Sequence, residues 1–282
     1  MGNIFIEYVE QMAEQGRKNS EAEGDFRDEE GLLCCGKCKT RKEGDFELQG
    51  KKIRVPFLCQ CESEKNEREC QEEEHRRFRE ECERRRKDGI TDPSYPAQTF
   101  DQDDGRNRKI SDVCRKYVEH WSEMMIENIG ILFYGGVGTG KSFLACCIAN
   151  AIIDKCVRVS VTNFPRILNK LQGFGEDKQA FLDKLNRYDL LVIDDLGVER
   201  DTSYSVEQVY NIIDARSRSG KPLIITTNLS LADLQNPPSL GYARIYDRIL
   251  EMCPIKLKLV GESRRTANAA ERREKARKIL DL

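Results

Sequence analysis

The stretch ILFYGGVGTGKS, residues 131–142, constrains the fold more than any other. A short apolar run ends in a glycine-rich turn, and the turn opens into FLACCIANAII, an apolar segment of helical length. This is G-x-x-x-x-G-K-[ST] in the strand–turn–helix setting that the motif requires. Gly135, Gly136, Gly138 and Gly140, with Val137 and Thr139 among them, let the backbone curl so that its N–H groups and the helix N-terminus can surround phosphate oxygens. Lys141 is then placed to reach β and γ phosphates, and Ser142 to offer its hydroxyl to Mg²⁺.

Around this turn the chain alternates short apolar strands with helical stretches. The strands are expected at residues 131–134, 157–162, 190–194, 223–227 and 255–260. That pattern predicts an α/β fold, a parallel five-stranded sheet with helices on both faces. Ligands of such sheets bind beyond the carboxyl ends of the strands. LLVIDDLG, residues 190–197, delivers two carboxylates to that edge. Successive strand residues face opposite ways, so two adjacent acids share a site only if the strand has ended. Asp194 is expected to hold Mg²⁺ through water, and Asp195 to orient the attacking water. ITTN ends a later strand and points Asn228 at the γ-phosphate, with a turn or helix cap before SLADL as the other role open to it. An extra strand between the phosphate loop and the acidic strand, and no NKxD-like guanine signature, favour ATP.

The 39% hydrophobic content is sparse before about residue 95 and concentrated over 129–260, so the large core belongs to the second part. The formal net charge of -2 leaves no global nucleic-acid footprint. Scattered candidates for DNA contact are Arg158, Arg166, Phe164 and Phe174, with core packing the alternative for the aromatics. The start, MGNIFIEYVEQMAEQ, lacks a basic n-region and a long apolar run, which argues against a leader or a membrane span and for a cytoplasmic protein. Ile4, Phe5, Tyr8, Val9 and Met12 recur at helical spacing, as a helix that docks on this chain's own core or on a partner.

Twelve cysteines without an export signal argue against a disulfide scaffold. Cys114, Cys146, Cys147, Cys156 and Cys253 sit in apolar segments as small buried residues. Cys35 and Cys38 form CGKC, and Cys59 and Cys61 form CQC; a hairpin between them would close a tetrahedral thiolate site for Zn²⁺. Cys34 could replace Cys35, and Cys70 or His75 could supply a fourth ligand. Residues 62–88 are almost entirely charged, with Glu72 and Arg76, Glu73 and Arg77, Glu80 and Arg84, and Glu81 and Arg85 four apart, which predicts a solvated helix. Its end, RRRK at 84–87, could touch phosphates.

Turn formers over 89–109 predict a linker, with Tyr95 and Phe100 packing on the edge of the larger domain. Ile110, Val113, Cys114, Tyr117, Val118, Trp121 and Met125 then predict one amphipathic helix of five turns. The expected organisation is a partner-binding region with the cysteine knuckle at 1–61, a charged helix and linker at 62–94, an ATPase domain at 95–265 and a charged helix at 266–282.

With GGVGTGKS, VIDDLGVE, PLIITTNLSL, RIYDRILEM and VGESRR in that order, residues 95–265 resemble the DnaC/IstB group of AAA+ ATPases of additional-strand type. The resemblance implies that Arg248 is an arginine finger completing a neighbour's ATP site and Arg265 a second sensor arginine, with Arg264 and Arg244 as substitutes. It implies ATP hydrolysis, self-association, and helicase loading: delivery of a hexameric replicative DNA helicase, gripped by the amino-terminal module, to single-stranded DNA. The alternatives are a transposition helper and a nucleotide-gated adaptor with little hydrolysis. Two departures bear on this. One charged helix replaces a full helical lid, and Asp195 stands where many AAA+ enzymes carry glutamate, which implies slow, assembly-dependent turnover.

Overall fold

The computed structural model describes residues 2–172, 178–197 and 202–280. The chain divides into two compact units, Met1–Arg77 and Phe78–Leu282.

In the first unit, helix α1 (Gly2–Ser20) precedes a two-residue pair, β1 (Phe26–Arg27) with β2 (Leu33–Cys34), and then a hairpin, β3 (Glu43–Leu48) with β4 (Lys51–Pro56). α1 meets the hairpin through Ile6, Val9 and Ala13, which pack with Leu48, Ile53 and Val55. Of the face expected from sequence only Val9 packs on this core; Phe5, Tyr8 and Met12 are each about 60% exposed, which counts against docking on this chain's own core and leaves the partner alternative, and the side chain of Ile4 lies outside the described residues. The small residues explain the choice. Ala13 and Gly16 let the helix approach closely, and a Cβ on Gly16 would stand 2.9 Å from Pro56 Cγ. Ile6, Leu32, Leu33 and Ile53 are the large aliphatic side chains buried among the described residues of this unit, a small core for its length.

Helix α2 (Gln60–Gly89) carries the charged sequence. Glu73 pairs with Arg77 at 2.9 Å and Glu81 with Arg85 at 2.7 Å. Its last turns are packed, contrary to the solvated helix expected. Cys82 is buried, Arg85 donates to the Cys156 carbonyl, and Arg86 pairs with Asp154. Arg85 and Arg86 of the RRRK end are therefore occupied by protein acceptors, while Arg84 and Lys87 are exposed. The linker is packed too, because Ile90 bridges to Val161 at the sheet edge and Tyr95 and Phe100 lie against the core.

The amphipathic stretch forms two helices, α3 (Arg108–Glu119) and α4 (Trp121–Ile126), rather than one. The Lys155 ammonium takes the carbonyls of Val118 and Glu119, which a continuous helix would give to amides four residues on. The remaining elements are β5 (Ile131–Gly135), α5 (Lys141–Ile153), β6 (Val159–Asn163), α6 (Phe164–Gln172), α7 (Lys178–Arg187), β7 (Leu190–Leu196), α8 (Ser203–Arg218), β8 (Leu223–Thr227), α9 (Leu231–Gln235), α10 (Leu240–Met252), β9 (Ile255–Leu259) and α11 (Arg264–Leu280). The five strands form one sheet in the order β6-β7-β8-β5-β9, parallel throughout. β8 thus stands between the phosphate-loop strand and the acidic strand. Both faces are covered, one cluster including Phe133, Ile148 and Val192 and the other Leu132, Ile193 and Ile225.

Arg216 on α8 is fully buried, giving its guanidinium to the carbonyls of Tyr188 at 2.9 Å, Asp189 at 3.1 Å and Pro222 at 2.5 Å. Cys114, Cys146, Cys147 and Cys253 are buried as expected; Cys156 is partly exposed because it turns the chain after α5 at φ +58°. Among the described residues no helix is long and apolar enough to cross a membrane.

Candidate functional site: a phosphate loop facing paired acids

β5 ends at Gly135 and α5 begins at Lys141, so residues 136–140 form the turn between them. Gly138 and Gly140 have φ of +78° and +104°, values that non-glycine residues rarely hold. A side chain at either would also collide with Ser263 or with the Arg264 guanidinium, which lie directly over the loop. Thr139 Oγ1 braces the turn on the Gly136 carbonyl at 2.9 Å, and Val137 is exposed. Ser142 is half-buried in the first turn of α5.

Lys141 is buried, and its ammonium donates to the carbonyls of Gly135 at 2.9 Å and Gly136 at 2.7 Å and to Asn228 Oδ1 at 2.7 Å. Asn228 follows the last residue of β8, so the loop and the neighbouring strand end meet at this lysine. Burial lowers its pKa, while the charges of Asp195 and Asp194 oppose that shift.

The paired acids share the site because β7 does not run regularly to its end. Ile193 pairs with Ile225 but Leu196 with Thr227, so β7 holds one extra residue, and Asp195 sits there at φ +58°. Such a bulge re-aims side chains at a strand end, and aspartate tolerates the left-handed region better than most residues. Asp194 is buried, accepting Thr226 Oγ1 at 2.6 Å on Oδ1 and the Tyr95 hydroxyl at 3.1 Å on Oδ2. Thr226 Oγ1 also accepts the Asp195 amide at 2.9 Å. Burial first, and then the Asp194 charge, raise the Asp195 carboxyl above the usual range, against Arg265 and Lys141. One acid is thus fixed by two donors, while the other has its carboxyl raised by burial and by its neighbour's charge. A carboxylate and the Ser142 hydroxyl form an all-oxygen donor set, which suits Mg²⁺.

The arginines separate. Arg265 is exposed and acts by its charge on both Asp195 and Lys141. Arg264 makes a two-pronged pair with Asp104, 2.7 Å at each prong, and donates to the Thr139 carbonyl. Arg248 lies on α10, pairs with Asp214 at 2.6 Å and stacks on Tyr210, both of α8. Arg244 lines a groove of about 450 Å³ between α8 and α10. Of the scattered candidates for DNA contact, Arg158 pairs with Asp189, Arg166 with Asp92, and Phe164 is fully buried; Phe174 lies outside the described residues. Tyr95, Asp104 and Thr226 had no site role in the sequence reading. Only Thr226, two residues before Asn228 in ITTN, carried a local signal.

In the first unit, Cys35, Cys38, Cys59 and Cys61 bring their sulfurs within 4.8 Å of one another. Cys35 and Cys61 are 3.7 Å apart and Cys59 and Cys61 3.4 Å, near the roughly 3.8 Å that a tetrahedron with ~2.3 Å metal–sulfur bonds requires. Cys34 is directed instead to the Leu32 carbonyl at 3.7 Å, and Cys70 is exposed on α2. The Thr40 hydroxyl, then the amides of Cys61 and Thr40, draw Cys38 down to about 5. Cys59, Cys38 and Cys35 push Cys61 up to about 12. Four sulfurs this close could all ionise only around a cation, and the cluster could hold a metal ion.

A family model described as "IstB-like ATP binding protein" matches residues 96–272. The "Replicative helicase loader DnaC" of Escherichia coli (strain K12) is 29% identical over 140 residues, 48% of this chain and 55% of that protein. The chain thus spans about half the length of the curated relatives it matches. The "Crystal structure of the DnaC helicase loader" aligns with TM-score 0.51 at 29% identity, covering 60% of this chain and 100% of that one. The "Crystal Structure of the DnaI" aligns with TM-score 0.52 at 22% identity, covering 62% and 95%, a likeness of fold.

Proposed function

The chain belongs to the IstB-like ATP-binding protein family, and from that premise we propose that it hydrolyses ATP to deliver a replicative DNA helicase to single-stranded DNA. The observation that carries the ATPase reading is the meeting of Lys141, Asn228, Asp194 and Asp195 at the carboxyl edge of the sheet. In it Gly135 to Gly140 cradle the phosphates and Lys141 neutralises them; Ser142 and Asp194 would hold Mg²⁺, which would supply screening of the phosphate charge. Asp195 takes the proton of the attacking water, Asn228 orients the γ-phosphate, and Arg265 approaches it from α11. Arg248 reaches the ATP site of a neighbouring copy, exchanging Asp214 for phosphate; arginine suits this because its planar charge is permanent. With aspartate in place of a longer acid, turnover is slow until a neighbour completes the site.

Similarity to a protein named as a replicative helicase loader supports the client. The first unit, held by Zn²⁺ on Cys35, Cys38, Cys59 and Cys61, supplies the grip. The test is retention of a hexameric replicative helicase by the full chain in ATP, with phosphate release measured beside it. Loss of hydrolysis in Asp195→Ala with helicase retained supports the reading. The IstB-like description of the matching family favours a second one, a transposition helper, and binding of duplex DNA and a transposase without helicase would replace the loader by it. Turnover unchanged by DNA and by Asp195→Ala would leave a nucleotide-gated adaptor.

A further inference from the structure

We propose that Tyr95 is a positioning residue for Asp194, and that it makes the setting of this carboxylate depend on the last turns of α2. The inference rests on the reading of Asp194 as the Mg²⁺ ligand. Tyr95 belongs to the irregular segment after α2, and its hydroxyl crosses 99 residues of sequence to reach Asp194 Oδ2 at 3.1 Å. Thr226 occupies Oδ1 at 2.6 Å. A carboxylate oxygen accepts about two hydrogen bonds, so one donor on each oxygen leaves one lone pair on each for a hydrated cation. With Thr226 alone the carboxylate plane could still rotate; with a second donor on the other oxygen it cannot.

Tyr95 is itself held. Asn150, buried on α5, gives its Nδ2 to the carbonyls of Tyr95 at 2.9 Å and Gln98 at 3.0 Å. Its Oδ1 accepts Arg86 Nε at 3.2 Å, and Arg86 also pairs with Asp154. Arg86 is near the end of α2, whose earlier turns follow the cysteine pair in sequence. A displacement of that helix end is therefore passed by Arg86 to Asn150, by Asn150 to the Tyr95 backbone, and by the phenol to Asp194. A tyrosine serving only to fill space against the core would lose nothing as phenylalanine.

The test titrates MgCl₂ against binding of a fluorescent ATP analogue, mant-ATP, by the full-length chain and by Tyr95→Phe, Arg86→Gln and Asp194→Asn, with thermal unfolding alongside. Partners of metal-ligating groups typically alter metal affinity by about 10–100-fold. Tyr95→Phe is expected to keep its melting temperature and its affinity for mant-ATP in EDTA, while the Mg²⁺ concentration at half-effect rises roughly tenfold. Arg86→Gln is expected to move it the same way by less. An unchanged midpoint in Tyr95→Phe, with Asp194→Asn impaired, overturns the role of Tyr95. An unchanged midpoint in Arg86→Gln overturns the dependence on α2. If Asp194→Asn keeps the parent midpoint, the metal reading beneath the inference is what fails.

Discussion

Lys141 and Asn228 are joined by a 2.7 Å hydrogen bond across 87 residues of sequence. The lysine brings charge and the asparagine a neutral dipole, so their losses should separate. Lys141→Ala is expected to abolish ATP binding. Asn228→Ala should leave the affinity within about threefold and lower kcat by roughly a hundred- to a thousandfold, the scale of a lost transition-state hydrogen-bonding group. Nucleotide titration and phosphate release distinguish the two, and retained affinity in Lys141→Ala would remove the phosphate-loop assignment.

Thr226 serves both acids, donating to Asp194 and accepting the Asp195 amide. Thr226→Val keeps the shape but deprives Asp194 of a donor and leaves that amide without its partner, at a cost of about 1–3 kcal/mol. A fall of several degrees in Tm together with slower hydrolysis is expected, and Thr226→Ser should restore both. Failure of the serine variant to rescue hydrolysis would mean that the hydroxyl is not what the acids need.

Zinc is expected at one ion per chain in metal analysis of the full-length protein. Cys38→Ser or Cys61→Ser should lose it, and chelation should make residues 1–77 susceptible to protease, because metal binding in small units supplies much of the folding free energy. A metal-free protein that resists protease there would refute the site.

Asp104 is held at about 2 by its pair with Arg264. A carboxyl depressed in the folded state stabilises above its unfolded pKa and loses that effect as pH falls through the folded one. The contribution is therefore complete above about pH 5, falls as pH drops toward 2 and is gone near pH 1. Since Asp104 is 38% exposed, screening reduces it to about 1 kcal/mol. Denaturant unfolding of the parent and Asp104→Asn should differ by that amount at pH 6 and converge in acid. A gap independent of pH would show that the pair is not its source.

Local spacing carried much of the site. GGVGTGKS, the DD pair, Asn228 and the two cysteine pairs each suggest their chemistry within a few residues, and the structure brings Lys141 to Asn228 and the four cysteine sulfurs together. How both acids could serve one site was not legible, since strand alternation alone would part them; one extra residue in β7 resolves it. Which face of α1 docks on this chain's own core was not legible, because hydrophobicity marks a stripe, whereas small residues such as Ala13 and Gly16 decide how closely a helix can pack.

The sequence by itself determined the class of fold, the phosphate loop, the acidic strand and the thiolate set, because these depend on residue type and on distances along a few residues of chain. Only the folded chain shows that Tyr95 binds Asp194, that Arg264 is taken by Asp104, and that Arg216 belongs in the core. Those are side-chain hydrogen bonds and charge contacts that leave no period or spacing in the sequence. They exist only where the path of the chain brings a donor to its acceptor.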